Sequence, residues 1–148
     1  MKITIFAIGK THSDYTNLID DYLKRISKNV NIDLICLKEY GDEPKKEEAE
    51  IISKIKDKKF VVVLDKSGKE YSSEQFSSFI QSKIEDRMLN EICFVIGGSQ
   101  GFSAEFLNSV STVMSLSIMT FTHQMVRIIL LEQIYRAFEI IKGSRYHK

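Results

Sequence analysis

The sequence contains few of the residues that break or cross-link a chain. Its 148 residues include one proline, seven glycines, two cysteines and no tryptophan. So little proline and glycine leaves no room for a linker or a low-complexity segment, and we expect a single domain over residues 1–148. Cys36 and Cys93 lie in apolar, strand-like runs without CxxC spacing. Both are expected to be buried, reduced thiols of a cytoplasmic protein.

Long hydrophobic runs are also missing. The apolar run before Gly9 is shorter than the roughly 7–15 residues that form the core of a signal peptide. In the apolar pattern that follows His123, charged residues interrupt every window well before the roughly 18 uncharged residues that a membrane span requires. We therefore expect no membrane partner.

The charge is nearly balanced, with a formal net charge of +1. This value excludes a generic nucleic-acid binder with a wholly basic surface. Residues 123–148 nevertheless carry five Lys or Arg against two Glu, while the other residues carry 16 basic and 18 acidic side chains. A basic terminus on a neutral body is consistent with either a local anionic partner or a solvated tail.

Catalytic and metal-binding patterns of the common kinds are absent. His12, His123 and His147 have no metal-ligand spacing, and no cysteine or acidic cluster joins them, so we expect no metal. No Ser-His-Asp or Cys-His arrangement is recognisable, which leaves hydrolase chemistry without a nucleophile.

Strand-like and helix-like segments alternate along the chain. Helix starts are predicted at Ser13 or Asp14, at Pro44, at the capping box formed by Ser72 and Gln75, and at Ser103. The order predicts an α/β fold with a mostly parallel sheet sandwiched by helices. Five apolar or β-branched runs predict the strands: Lys2–Ile8, Asn31–Lys38, Phe60–Leu64, Ile92–Ile96 and Thr112–Ser117.

Ligands of such folds bind beyond the carboxyl ends of the strands. Three strand ends are therefore candidates for a site: 64–68, with a turn at Lys66–Lys69, then 97–101 and 117–123. The sequence GGSQG at 97–101 permits close backbone approach, but it matches neither the dinucleotide fingerprint nor a P-loop. From the residues alone, a tight turn and a ligand loop remain equally good interpretations.

The stretch Ser115–Gly143 is the most distinctive in the chain. From His123 onward it predicts a long helix that ends near Gly143, with more apolar positions than one core-facing stripe needs. Either the helix buries a second face on a partner subunit, which we favour, or it is an internal core helix. Because an unpaired arginine on such a helix is costly, Arg127 is expected to meet an anion, a carboxylate or a phosphate. His123 is the first residue of this helix. The sequence leaves two roles open for its imidazole, which are capping the helix and contacting a substrate.

Four motifs extend this interpretation: LDKSGK (64–69), FVIGGSQG (94–101), LSIMTFTHQMVRIILLEQIYRAF (116–138) and the terminal YHK (146–148). Together with the opening MKITIFAIGK, they resemble the small single-domain SPOUT-class methyltransferases. The resemblance is strongest to the bacterial type that methylates N3 of a pseudouridine in large-subunit (23S) ribosomal RNA, and it covers essentially the whole chain. It implies an S-adenosyl-L-methionine (SAM) cofactor, a deep C-terminal trefoil knot, a homodimer and a ribosomal substrate.

The resemblance also implies roles for individual residues. One departure is Thr122, where relatives commonly have proline before the histidine. The catalytic and RNA-binding candidates are His123, Arg127, Tyr146 and His147, with Arg136 and Arg145 as substrate contacts. The residues implied to line or shape the cofactor site are Leu64, Gly97, Gly98, Gly101, Leu116, Ser117, Ile118, Met119, Thr120 and Phe121.

Two other functions were weighed against this one. A non-catalytic RNA- or ribosome-binding module would keep the fold without the cofactor, but the intact GGSQG and LSIMTF motifs argue against it. A nucleotide-binding oxidoreductase lacks its glycine fingerprint.

Overall fold

A computed structural model describes all residues, 1–148, and contains one five-stranded sheet in the order β2-β1-β4-β3-β5, with every neighbouring pair parallel. This arrangement confirms the predicted α/β class. The strands are β1 (Lys2–Ile8), β2 (Asn31–Leu37), β3 (Val61–Glu70), β4 (Glu91–Ile96) and β5 (Thr112–Ser115). The helices are α1 (Ser13–Ile26), α2 (Pro44–Ile55), α3 (Ser73–Glu85), α4 (Ala104–Ser109) and α5 (His123–Ile141), followed by a short 3₁₀ turn (Arg145–His147).

Helices cover both faces of the sheet, as a parallel sheet with buried strands requires. One core holds α1, α3 and α5 against residues such as Ile5, Phe94 and Met114. The other core holds α2 and α4 against residues such as Val63 and Val95. No helix of this chain is long and apolar enough to cross a membrane.

Helix α5 is the central element of the first core. It packs against both α1 and α3, and its buried positions include Leu130, Leu131 and Ile134. The predicted end of the helix is confirmed, because Lys142 is the C-cap and Gly143 adopts a φ of +70°. One of the two expected faces is therefore buried within the chain itself.

Several predicted boundaries need correction. The N-cap of α1 is His12, whose ring nitrogen accepts from the amide of Asp14, rather than Ser13 or Asp14. The last strand ends at Ser115, two residues earlier than expected. Cys93 is buried as predicted, but Cys36 is exposed because β2 is an edge strand.

Strand β3 differs most from the prediction. The Lys66–Lys69 turn does not end the strand, which resumes pairing with β5 after a register shift, so that Leu64 and Lys69 both align with Met114. The intervening residues bulge outward around Asp65, which accepts hydrogen bonds from the amide and hydroxyl of Ser67. This bulge produces irregular backbone at the carboxyl end of β3.

Candidate functional site

The three strand ends singled out by the sequence are neighbours in the sheet. Leu64 of β3 lies between Ile96 of β4 and Met114 of β5. Because all three strands are parallel, the bulge after Leu64, the glycine loop (Gly97–Gly101) and the segment Leu116–Phe121 emerge side by side. We call that last stretch the cofactor segment, after its implied role.

The start of the glycine loop lies close to two side chains. A Cβ on Gly97 would lie 2.8 Å from the far edge of the Phe102 ring, and one on Gly98 would lie 2.9 Å from a carboxylate oxygen of Glu47, so a larger residue at either position would displace that side chain. Gly101 closes the turn, with a φ of +66° and an amide that donates to the Gly98 carbonyl at 3.2 Å. Because these glycines carry no side chain, a ligand can approach the backbone of this loop closely.

Glu47 is a site residue that the sequence analysis missed. Although it is an acidic residue on α2, only 5% of it is exposed. Its Oε1 atom accepts from the Tyr40 amide at 2.9 Å, and its Oε2 atom faces Gly98. An acidic residue in the first turn of a helix is usually exposed, so nothing in the sequence around it indicated this position.

A close approach also occurs at Gly68. A Cβ there would lie 2.6 Å from the backbone of Val113 and Met114. This contact explains the glycine of the LDKSGK motif, because β3 could not resume pairing with β5 beside a larger residue. The sequence predicted a turn at this glycine. The structure shows that glycine is needed here for the close contact with β5.

The cofactor segment is held by its own hydrogen bonds. The Ser115 hydroxyl donates to the Ser117 carbonyl at 2.9 Å, and the Ser117 hydroxyl accepts from the Met119 amide at 3.0 Å. Ile118 and Met119 are 77% and 69% exposed. Large apolar side chains so exposed in an ordered segment indicate a surface that is covered by something else.

Beside this segment lies a cavity of about 320 Å³ between β5, α3 and α5. Its lining includes Ser115, Leu116 and Ile129, together with Tyr71 and Ser72. The segment that leaves β5 and the connection from β3 to α3 thus line the same space.

The start of α5 follows directly after the cofactor segment. Thr122 is the N-cap, and its hydroxyl accepts from the Met125 amide at 3.3 Å. The threonine therefore caps the helix in place of the proline that the resemblance implies there. His123 is half-buried as the first residue of the helix.

Arg127 is fully buried and does not meet the anion that was expected. Its Nη2 donates to the carbonyl oxygens of Ile8 (2.6 Å) and Gly9 (2.9 Å), and its Nη1 donates to the Thr11 hydroxyl at 3.2 Å. Burial lowers the pKa of the guanidinium. The nearby Cys36 and Glu39 raise this pKa and so offset part of the effect of burial. The arginine fastens α5 to the carboxyl end of β1, and no atom of it faces solvent.

The C-terminal candidates form a cluster around Glu132. Arg136 donates to Glu132 at 2.7 Å and lies 4.8 Å from the centre of the Tyr146 ring, and the Tyr146 hydroxyl donates to the same carboxylate at 3.1 Å. The hydrogen bond to Glu132 raises the pKa of Arg136. Burial and then the charge of Glu132 raise the pKa of Tyr146 to about 12.

His147 extends this cluster to α3. Its Nδ1 lies 3.2 Å from Arg136 Nη1, and its Nε2 lies 2.7 Å from Glu74. The hydrogen bond from His147 lowers the pKa of Glu74 to about 2. We call Glu74, Glu132, Arg136, Tyr146 and His147 the C-terminal cluster. Arg145 is exposed and does not join it.

Within one chain the candidates therefore form two groups. His123 and Arg127 lie at the start of α5, next to the cofactor segment, whereas the C-terminal cluster lies near its end. At 1.5 Å per residue, His123 and Arg136 are separated by roughly 20 Å along the helix. No three His, Cys, Asp or Glu side chains are grouped closely enough to hold a metal ion.

Comparisons with known proteins agree with this geometry. Residues 1–147 match the family described as "Predicted SPOUT methyltransferase". The chain is 40% identical over 161 residues to "Ribosomal RNA large subunit methyltransferase H" of Halothermothrix orenii, and 42% identical over 163 residues to the protein of the same name from Carboxydothermus hydrogenoformans. Both alignments cover 100% of each chain.

Two solved structures share the fold at low sequence identity. A probable methyltransferase from Bordetella pertussis superposes with a TM-score of 0.60 at 8% identity, over 91% of this chain and 95% of that one. A probable methylase family protein from Haemophilus influenzae gives 0.56 at 13% identity, over 99% and 70%. With the family match over residues 1–147 and the full-length relatives, the chain belongs to the SPOUT methyltransferases.

Proposed function

We propose that the protein transfers a methyl group from SAM to N3 of a pseudouridine in large-subunit (23S) ribosomal RNA, on assembled ribosomes in the cytoplasm. The observation that carries the proposal is full-length similarity, at 40–42% identity, to proteins named ribosomal RNA large subunit methyltransferase H. The neighbouring strand ends described above supply a site of the required kind.

The residues at these strand ends fit the cofactor. Gly97 and Gly98 present bare backbone, Leu64 supplies an apolar wall, and the cofactor segment is uncharged throughout. Such a surface suits an adenine ring, with main-chain groups as its hydrogen-bond partners. The buried Glu47 carboxylate beside Gly98 places a negative charge near a ligand that carries a sulfonium and an ammonium group.

A trefoil knot is part of the proposal. Strand β5 lies at the sheet edge, whereas α5 packs between α1 and α3 over the centre of the sheet. The cofactor segment must therefore cross the connection between β3 and α3, and residues of both line the 320 Å³ cavity. Passage beneath that connection would thread the chain, a rare exception to unknotted topology.

We further propose that the active site needs two subunits. His123 and the C-terminal cluster lie too far apart along α5 to act on one nucleotide within a chain. The exposed apolar side chains of Ile118, Met119, Phe121 and Met125 supply a surface for a partner. In a homodimer, the C-terminal cluster and Arg145 of one subunit would complete the cofactor site of the other.

The chain's own residues contribute mainly by positioning. When bound, the cofactor supplies an electrophilic methyl group, and in-line transfer gains several kcal/mol from correct alignment. His123 is the imidazole next to the cofactor segment and is proposed to accept the N3 proton. Arg136, Tyr146 and His147 are proposed to hold the RNA. Arg127, being fully buried, is proposed to position α5 rather than to touch the substrate.

The test is methyl transfer to assembled ribosomes purified from a strain that lacks the corresponding activity. With labelled SAM, wild-type protein should label the RNA, and nucleoside mass spectrometry should identify 3-methylpseudouridine. The variant His123→Ala should lose most of the rate, whereas the control Lys54→Ala, at an exposed position on α2, should not. Ribosome binding without any transfer would support a non-catalytic binding module instead.

A further inference from the structure

A second cavity lies outside the proposed cofactor site. It has a volume of about 640 Å³ and opens at the carboxyl ends of β1 and β2. That volume is within the range of ligand sites, roughly 300–1,000 Å³. Its lining is almost entirely polar, with one hydrophobic residue among nine. The side chains that matter below are Lys10, Thr11, His12, Lys38, Glu39 and Gln124.

The cavity carries two lysines that form no ion pair. Lys10 and Lys38 have no carboxylate within 4.0 Å, and the buried Arg127 lies behind the wall formed by Gly9 and Thr11. The Lys38 ammonium lies 5.0 Å from the centre of the Tyr40 ring. Glu39 is the one acidic side chain in the lining, and its carboxylate lies beside Gly9, where its charge acts on Arg127.

The walls of the cavity are fixed by α5. Gln124 donates to the Lys10 carbonyl at 2.8 Å and accepts from the His12 amide at 2.9 Å. One turn later, Arg127 holds the carbonyls of Ile8 and Gly9. Two side chains of one helix thus hold the turn that carries Lys10, so the cavity is built into the fold rather than formed by loose surface chains.

The same helix links this cavity to the cofactor segment. Gln124 in the cavity wall follows Phe121, the last residue of that segment, by three positions. Three residues span at most about 10 Å. A chain-like ligand with one unit in the cofactor site can therefore place an adjacent unit at the cavity.

We propose that this cavity binds a backbone phosphate of the RNA substrate, on the side of the site opposite to the C-terminal cluster. The inference rests on the proposed function for the identity of the anion. Lysines bind phosphate as point charges, and contacts to phosphate fix the register of a nucleic acid without reading its sequence. The cavity would thus orient the RNA strand so that the target base meets the cofactor.

The experiment measures binding to unmodified assembled ribosomes over a series of KCl concentrations at constant Mg²⁺. The variants are Lys10→Ala, Lys38→Ala and the double variant. Lys54→Ala, on the opposite side of the sheet, is the matched control. Losing one phosphate contact should make the slope of log affinity against log salt shallower by about 0.7–0.9. The double variant should show this change, its KM for ribosomes should rise severalfold, and the control should match wild type.

Three further comparisons separate the outcomes. Lysine-to-arginine replacement at both positions should restore the slope, because the charge is kept. A double variant with the wild-type slope overturns the inference. If inorganic phosphate binds wild-type protein and the double variant abolishes this, but the ribosome slope is unchanged, the cavity serves a free anion and the RNA assignment is wrong. Circular dichroism melting checks that each variant is folded.

Failure of the proposed function would look different. In that case wild-type protein would transfer no methyl group to the ribosomes, regardless of how the lysine variants change the salt dependence of binding. A shallower slope in the double variant would then still establish the cavity as an RNA-phosphate site.

Discussion

Replacement of Arg127 by methionine tests whether this residue acts through structure or through chemistry. The substitution keeps an unbranched side chain but removes the donors to the carbonyls of Ile8 and Gly9. Each buried acceptor left without a partner costs about 1–3 kcal/mol. The substitution also removes the desolvation penalty of the buried guanidinium, which offsets part of that loss. We therefore expect a loss of about 3 kcal/mol in the free energy of unfolding.

For a chain of this length, 1 kcal/mol corresponds to about 2–4 °C in Tm, so Tm should fall by about 6–12 °C. Urea unfolding at a fixed protein concentration measures the loss, since a dimer's stability depends on concentration. Arg25→Met is the control and should stay close to wild type, because Arg25 is exposed and makes only a surface ion pair with Asp21 and ring contacts with Tyr22 and Tyr135. If Arg127→Met keeps wild-type stability yet loses methyl transfer, Arg127 contacts the substrate and the structural account is refuted.

Three other predictions concern single groups. Gly68→Ala should cost about 1–3 kcal/mol of stability and weaken SAM binding in calorimetry, because its Cβ would lie 2.6 Å from the β5 backbone. In native protein, a thiol reagent should modify the exposed Cys36 alone, since Cys93 is buried with a pKa raised to about 12; two reactive thiols would contradict this. An ultraviolet titration of the six tyrosines should show one step near pH 12, which Tyr146→Phe removes. Because the folded pKa of Tyr146 is raised from 10, its contribution to stability should be complete below pH 10 and lost as the pH rises through 12.

The order of elements could be predicted from the sequence because local signals agreed with the final packing. The capping box is formed as expected, with Ser72 accepting from the Gln75 amide and Gln75 accepting from the Ser72 amide. Pro44 occupies the first turn of α2. The apolar run Ile92–Ile96 is buried on both faces, as its composition indicated.

Contacts between distant segments were the part that local patterns could not predict. Arg127 was expected to need an anion, but it donates instead to carbonyl oxygens more than a hundred residues away. Glu47 is buried because α2 passes beneath the glycine loop, a relation that depends on sheet order. The Gly68 contact depends on a register shift between two strands. Cys36 is exposed because β2 is an edge strand, which its composition alone does not indicate.

Hydrogen exchange of the protein with and without SAM tests the central claim most directly. The account predicts that the cofactor protects amides in three separate stretches: the bulge after Leu64, the glycine loop Gly97–Gly101 and the cofactor segment Leu116–Phe121. The turn Gly9–Ser13, which forms the phosphate cavity, should exchange as in the free protein. Protection confined to other parts of the chain, or no protection at saturating SAM, would contradict the proposed site.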